Sequence, residues 1–215
     1  MRHTRAAPFL ILAALCGTAL CACAHTQADS TQPPPKEHAT MTTHEAETAS
    51  NPTLSAEEIG KRLLALIEGL KSRDEISLDR IREVMHISLK LEPGALGAGF
   101  PSGDLGGGWR YVFDYFPESP SSSKGVKLTF VNTADRFADM TAVCSLDFDD
   151  YDKSLKRMGF VSAPTHGLIG QLEDMHYVKP AANGVGGDIV ISIVPQNVVA
   201  GSSTRLCIKS ISTLG

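Results

Sequence analysis

No apolar run in this 215-residue chain is long enough to span a membrane. The best candidate, Phe9 to Ala24, falls short of the about 20 apolar residues a spanning helix needs. It is also diluted by Cys, Gly and Thr and has no basic flank on its far side. Blocks of Lys and Arg are missing too, so the electrostatic footprint of a nucleic-acid binder is absent. Catalytic signatures are equally scarce. There is no Gly-x-Ser-x-Gly elbow and no His-Glu-x-x-His pair. Ser121-Ser122-Ser123-Lys124 has the Ser-x-x-Lys spelling of penicillin-interacting enzymes, but it lies in a Pro/Ser/Gly turn and lacks the Ser-Asp-Asn and Lys-Thr-Gly companions. Cysteine occurs only 5 times, and three of those residues, Cys16, Cys21 and Cys23, precede residue 24. No internal repeat is present.

What the chain does have begins at its N-terminus. Arg2 and Arg5 lead the apolar run Phe9 to Leu15, which ends in Leu20-Cys21-Ala22-Cys23. A basic start, a short apolar stretch and small residues make an export signal. The last four residues resemble the lipobox of bacterial lipoproteins, with Leu three places before a Cys and a small residue just ahead of it. Cys16 and Cys21 have Ala13 and Thr18 where that Leu should stand. The resemblance implies cleavage before Cys23, which becomes the acylated N-terminus and holds the chain to a lipid bilayer. One acyl chain binds marginally and two anchor firmly. Ala24 stands where an inner-membrane retention signal would usually place Asp, so the resemblance implies an outer-membrane address facing the periplasm. The alternative is plain cleavage without lipid, because Ala22-Cys23-Ala24 also fits the small-x-small rule.

Residues 1–22 are read as this lipoprotein signal peptide. Their removal takes Arg2 and Arg5 and no acids, so 20 basic residues fall to 18 against 24 acidic ones. Residues 23–53 carry one large apolar residue, Met41, among Thr, Ala, Pro, Gln, Glu and His. Such a segment cannot repay its ordering entropy, which predicts a flexible tether reaching roughly 30 Å. His25, His38 and His44 fall in it and are not read as metal ligands. Residues 54–215 are then one domain of ordinary size.

Within that domain Ser55-Ala56-Glu57-Glu58 is a capping box, followed by Ile59, Leu63, Leu66, Ile67 and Leu70 at helical spacing. The pattern predicts a helix over about 56–71. Ser77 heads a second helix with Leu78, Ile81, Val84 and Met85 on one face, so the two form a hairpin. Strand-like alternation appears at 87–91, 109–116, 126–131, 142–148, 172–178, 188–194 and 204–212. Pro93 to Gly108 reads as a mobile Gly-rich loop, not a phosphate loop, since it runs into a strand with no Lys in place. Asp149 or Asp150 is expected to cap a short helix, Tyr151 to Met158, stopped by Gly159. Ala181-Ala182-Asn183-Gly184 reads as a hairpin connection. The fold class expected is α+β: an N-terminal helical hairpin, a mainly antiparallel sheet of about five to six strands with one wet face, and one further short helix.

Candidate functional residues are few. Cys144 and Cys207 are the only cysteines in the domain, and export to an oxidising compartment favours one disulfide between them. Two buried thiols are the alternative. They fall on segments read as strands that could be neighbours. Asp147, Asp149, Asp150 and Asp152 form the densest acidic cluster, but a calcium loop would need Gly and Glu where Asp152 and Met158 stand. They are read as complementing a helix start. His86, His166 and His176 lack zinc spacing, and His166 beside Gly167 is the best placed for chemistry. No catalytic residue, metal ligand or cofactor is assigned. Phe100 and Trp109 flank the Gly-rich loop and are candidate partner contacts, with a core position for Trp109 as the alternative.

These features favour binding over catalysis. The expectation is an envelope lipoprotein that binds another envelope or periplasmic protein, as an inhibitor or immunity-type factor. An assembly lipoprotein of an envelope complex and a small cell-envelope hydrolase are the alternatives. An acidic surface would suit a basic target.

Overall fold

Three helices lie on one face of a seven-stranded antiparallel sheet. The computed structural model describes residues 52–196 and 205–214, which belong to the compact unit Thr48–Gly215. The signal peptide, Cys23, the tether as far as residue 51 and the beginning of the last expected strand, at 204, lie outside the described residues. Among the described residues no helix is long and apolar enough to cross a membrane.

Helix α1 (Ala56–Glu68) begins at Ser55. The Glu58 N–H donates to the Ser55 hydroxyl and the Ser55 N–H donates to the Glu58 carboxylate, which completes the capping box. Ile59, Leu63, Leu66 and Ile67 fall on one face and are buried. Helix α2 (Leu78–Met85) is capped by the Ser77 hydroxyl, which accepts from the Arg80 N–H. It packs on α1 and ends at His86 in the left-handed conformation, with φ of 54°.

The strands are β1 (Ala98–Pro101), β2 (Trp109–Phe116), β3 (Gly125–Asn132), β4 (Val161–His166), β5 (Leu172–Lys179), β6 (Ile189–Pro195) and β7 (Ile208–Ser212). Their order is β1-β2-β3-β7-β6-β5-β4, so two three-stranded meanders are joined through β7. Leu128 pairs with Ile211, and Ile211 with Ile193, in continuous register across the join. Trp109, Tyr111, Phe113 and Tyr115 of β2 share the helix-facing side with Val126, Leu128, Phe130, Tyr177, Ile191 and Ile193, in one cluster with α1 and α2. Thr129, Ser212, Ser192 and His176 point the other way and are half-buried. That second face is the expected wet one.

Helix α3 (Phe148–Arg157) follows the first meander. Its cap is Asp147, not Asp149 or Asp150, so it starts three residues earlier than Tyr151. The Asp150 N–H donates to Asp147 at 3.1 Å and the Asp147 N–H donates back to Asp150 at 3.1 Å, a second capping box. Gly159 stops it with φ of 89°, and the Phe160 N–H returns to the Leu155 carbonyl.

Several strand expectations are corrected. Residues 87–91 form no strand: Ile87 is buried in the core, but the segment that follows the left-handed His86 has no ladder partner among the described residues. Residues 142–147 form a turn and a bend with no partner strand among the described residues; their alternation comes from Cys144 and Leu146, which pack into the core. Conversely, the Gly-rich stretch contains β1, whose Ala98 and Phe100 pair with Tyr115 and Phe113. Strand β4 occupies part of a stretch that Pro164 and Gly167 mark in the sequence as a loop; Pro164 is tolerated there because β4 is a sheet edge. The last strand begins at Ile208 among the described residues. The sheet therefore has seven strands where five to six were expected.

Candidate functional site

Among the described residues, the hairpin of β4 and β5 carries the most exposed pair of large apolar side chains. Its turn is closed twice by backbone bonds, Gly167 N–H to Gln171 carbonyl at 2.8 Å and Gly170 N–H to Gly167 carbonyl at 2.9 Å. Gly170, with φ of 81°, occupies the left-handed region that returns the chain to β5. The Gln171 side chain braces the turn further. It accepts from the Ile169 N–H at 3.2 Å and donates to Glu173 at 3.1 Å. The result holds Leu168 and Ile169 outward at 107% and 90% exposure.

The strands behind the tip extend the same surface. Val161 and Val178 are register partners, both exposed, on the wet face of the sheet. Between them and the tip lie Asp174 and His176. His176 Nε2 is 3.0 Å from Oδ2 of Asp174, and the Ser192 hydroxyl on β6 donates to the same carboxylate, 2.9 Å from each oxygen. No Lys or Arg occurs from residue 158 to 178. The hairpin is therefore apolar at its tip and acidic along its arms.

The Ser192, Asp174 and His176 cluster resembles a hydrolytic triad only in composition. Nucleophilic serine chemistry places the imidazole between the hydroxyl and the carboxylate, so that it can take the proton. Here the carboxylate stands between the other two, and the hydroxyl proton points at Asp174. The arrangement fixes the arm of the hairpin against β6. Sequence reasoning passed over this cluster, because bringing Ser192 beside His176 depends on the β5–β6 register.

The residues singled out by sequence are dispersed. Trp109 is buried at 2% exposure and its indole N–H donates to the Asp139 carbonyl at 2.7 Å. It starts the core face of β2, so its reading as a partner contact is withdrawn. Phe100 is half-buried, with its ring edge-on to Tyr111 at 6.2 Å. His166 lies exposed at the last pair of β4, with no polar partner among the described residues. Cys144 and Cys207 are bonded, with Cα atoms 5.4 Å apart and a sequence separation of 63. Neither is on a strand: Cys144 follows the turn at 141–143 and Cys207 precedes β7. Asp147 caps α3, Asp149 and Asp150 lie in its first turn, and Asp152 accepts from the buried Tyr177 hydroxyl at 2.9 Å. Among the described residues no group of three or more His, Cys, Asp or Glu side chains is arranged to hold a metal. Compared with known protein families, characterised proteins and solved structures, the chain matches none.

Proposed function

We propose that this chain is an acylated envelope lipoprotein whose domain binds another envelope protein through the β4–β5 hairpin. The observation that carries the reading is the tip, where a braced turn holds Leu168 and Ile169 fully in water. Leaving two large apolar side chains exposed forgoes about 1.5–3 kcal/mol of burial for each. A partner cleft would recover that energy, and a preformed turn lowers the ordering cost of binding. Beside the tip the arms carry Glu173 and Asp174, and their one Lys or Arg, Lys179, stands at the far end of β5, so the matching cleft is apolar within and basic at its rim. An anionic lipid surface would repel the same arms. The inhibitor or immunity-type role follows, with the tip inserted into the cleft of a basic target. Lipid on Cys23 would keep the domain at the membrane where that target works.

The test places a photo-crosslinking residue at Leu168 in the full chain, in its own cells. One crosslinked protein that disappears when Ile169→Asp is added supports the reading. A ladder of membrane-complex subunits would favour the assembly role instead, and no adduct at all would remove the hairpin as a binding site. Labelled palmitate should enter the wild-type chain and not the Cys23→Ala variant.

A further inference from the structure

We infer that the groove between α1 and α3 binds a single-chain anionic amphiphile, an acyl tail ending in a carboxylate. The groove measures about 760 Å³. That lies within the roughly 300–1,000 Å³ range of small-ligand sites. Its apolar lining comes from Leu64, Leu146 and Met158, with the small Ala65 leaving the space open. Three large apolar side chains are few for a stable protein interface, which engages about 20–30 residues a side. They are enough to line an acyl tail, and Met158 is adaptable in shape.

Charge defines the head group. Four cations border the groove, and two of them are already paired within their own helices, Lys61 with Glu57 and Lys156 with Asp152. Lys153 and Arg157 have no ion pair among the described residues; Arg157 donates only to the Ser154 hydroxyl, at 3.1 Å. Standing four residues apart, they share one face of α3 and form a two-pronged cationic rim. Of the two bordering carboxylates, Asp150 is committed to the α3 cap and Glu68 stands across on α1. An anion at the head therefore complements the two unpaired cations of α3, and an apolar tail the lining between the helices. The site is independent of the hairpin and of any partner held there.

The experiment is a calorimetric titration of the full chain, produced without acylation under oxidising conditions, with dodecanoate below its micellar concentration. One dodecanoate per chain is expected. Lys153→Glu combined with Arg157→Glu should weaken binding about ten-fold or more, about 1.4 kcal/mol. Ala65→Trp, at an exposed position, should fill the groove and abolish binding while the far-ultraviolet dichroism stays unchanged. Three results would overturn the inference: no dodecanoate binding, equal binding of the uncharged dodecyl maltoside, or binding insensitive to both variants. Attachment to phosphatidylglycerol vesicles without binding of monomeric dodecanoate would also overturn it, by pointing to a bilayer surface.

Discussion

Arg205 Nε donates to Oδ2 of Asp147 across 2.9 Å, joining residues 58 positions apart. The contact stands beside the disulfide and beside a backbone bond from the Phe148 N–H to the Leu206 carbonyl at 2.7 Å. Together they fasten the start of α3 to the chain leading into β7. Burial alone would raise the Asp147 carboxyl, but the bonds from Arg205 and from the Asp150 N–H outweigh it and hold it below the usual carboxylate range.

This gives the first prediction a sign. A carboxyl depressed in the folded state leaves the unfolded chain the better proton binder as pH falls. Its contribution is full above about pH 4 and is lost as pH drops through the folded value. Asp147→Asn keeps a capping side chain and removes the charge. At pH 7 it should cost about 1 kcal/mol, a modest figure because Arg205 is half in solvent. Urea midpoints measured from pH 7 to pH 2.5 should converge for the two proteins; parallel curves would deny the ion pair this role.

Gly60 on α1 faces Tyr151 on α3 with no room for a side chain. A Cβ there would sit 2.3 Å from the tyrosine oxygen and 2.8 Å from Leu146 Cδ1. Gly60→Ala should gain about 1 kcal/mol of helix propensity and still lose net stability, since overpacking costs about 1–3 kcal/mol. Adding Tyr151→Phe should return part of the loss. Thermal melts of the single and double variants decide it, and a stabilised Gly60→Ala would show that the helices separate freely.

Tyr111 is fully buried and its hydroxyl has no partner among the described residues. Burial pushes its pKa up to about 12. Tyr111→Phe is expected to be neutral or stabilising by up to about 1 kcal/mol, because it removes an uncompensated polar atom. In alkali the unfolded chain ionises first, near pH 10, so Tyr111 withdraws stability progressively between about pH 10 and its folded value. The Phe variant should lose less over that interval in denaturant titrations. A loss above 1 kcal/mol at pH 7 would mean that the hydroxyl is satisfied in solution.

Opening the disulfide with the pair Cys144→Ser and Cys207→Ser should lower stability by about 4 kcal/mol, from the entropy of a 63-residue loop. Both sulfur-bearing residues are buried. Thiol labelling of native protein should therefore need reductant and denaturant together. Rapid labelling with reductant alone would show that this corner of the domain opens on its own.

Much of the scaffold was legible because its signals are local. Ser55 with Glu58, Ser77, Gly159 and the alternation of β2 each specify a boundary or a face within a few residues. The failures share one cause, which is that strand identity depends on a partner elsewhere. Residues 142–148 alternate as a strand should, yet no ladder receives them; β4 looks broken at Pro164, yet it needs only one ladder. The site was hidden for the same reason. Asp174 and His176 are two apart in sequence, but Ser192 joins them only through register. Gly167 marks a loop in the sequence, and nothing in it states that Leu168 and Ile169 would find no cover. The two half-grooves of α1 and α3 lie about ninety residues apart and are brought together by tertiary packing, with Gly60 against Tyr151.

The strand at the centre of the sheet is also the last of the seven to be synthesised. Until residues 208–212 arrive, each meander ends in an edge with nothing to pair with, and the core between Leu128 and Ile193 has no middle. Folding therefore commits late, on contacts that span most of the domain, a topology that favours slow closure. A chain still emerging from a ribosome or a translocation channel would remain in two loose halves. Truncation just before Arg205 should leave both unjoined, whatever the length of chain already made.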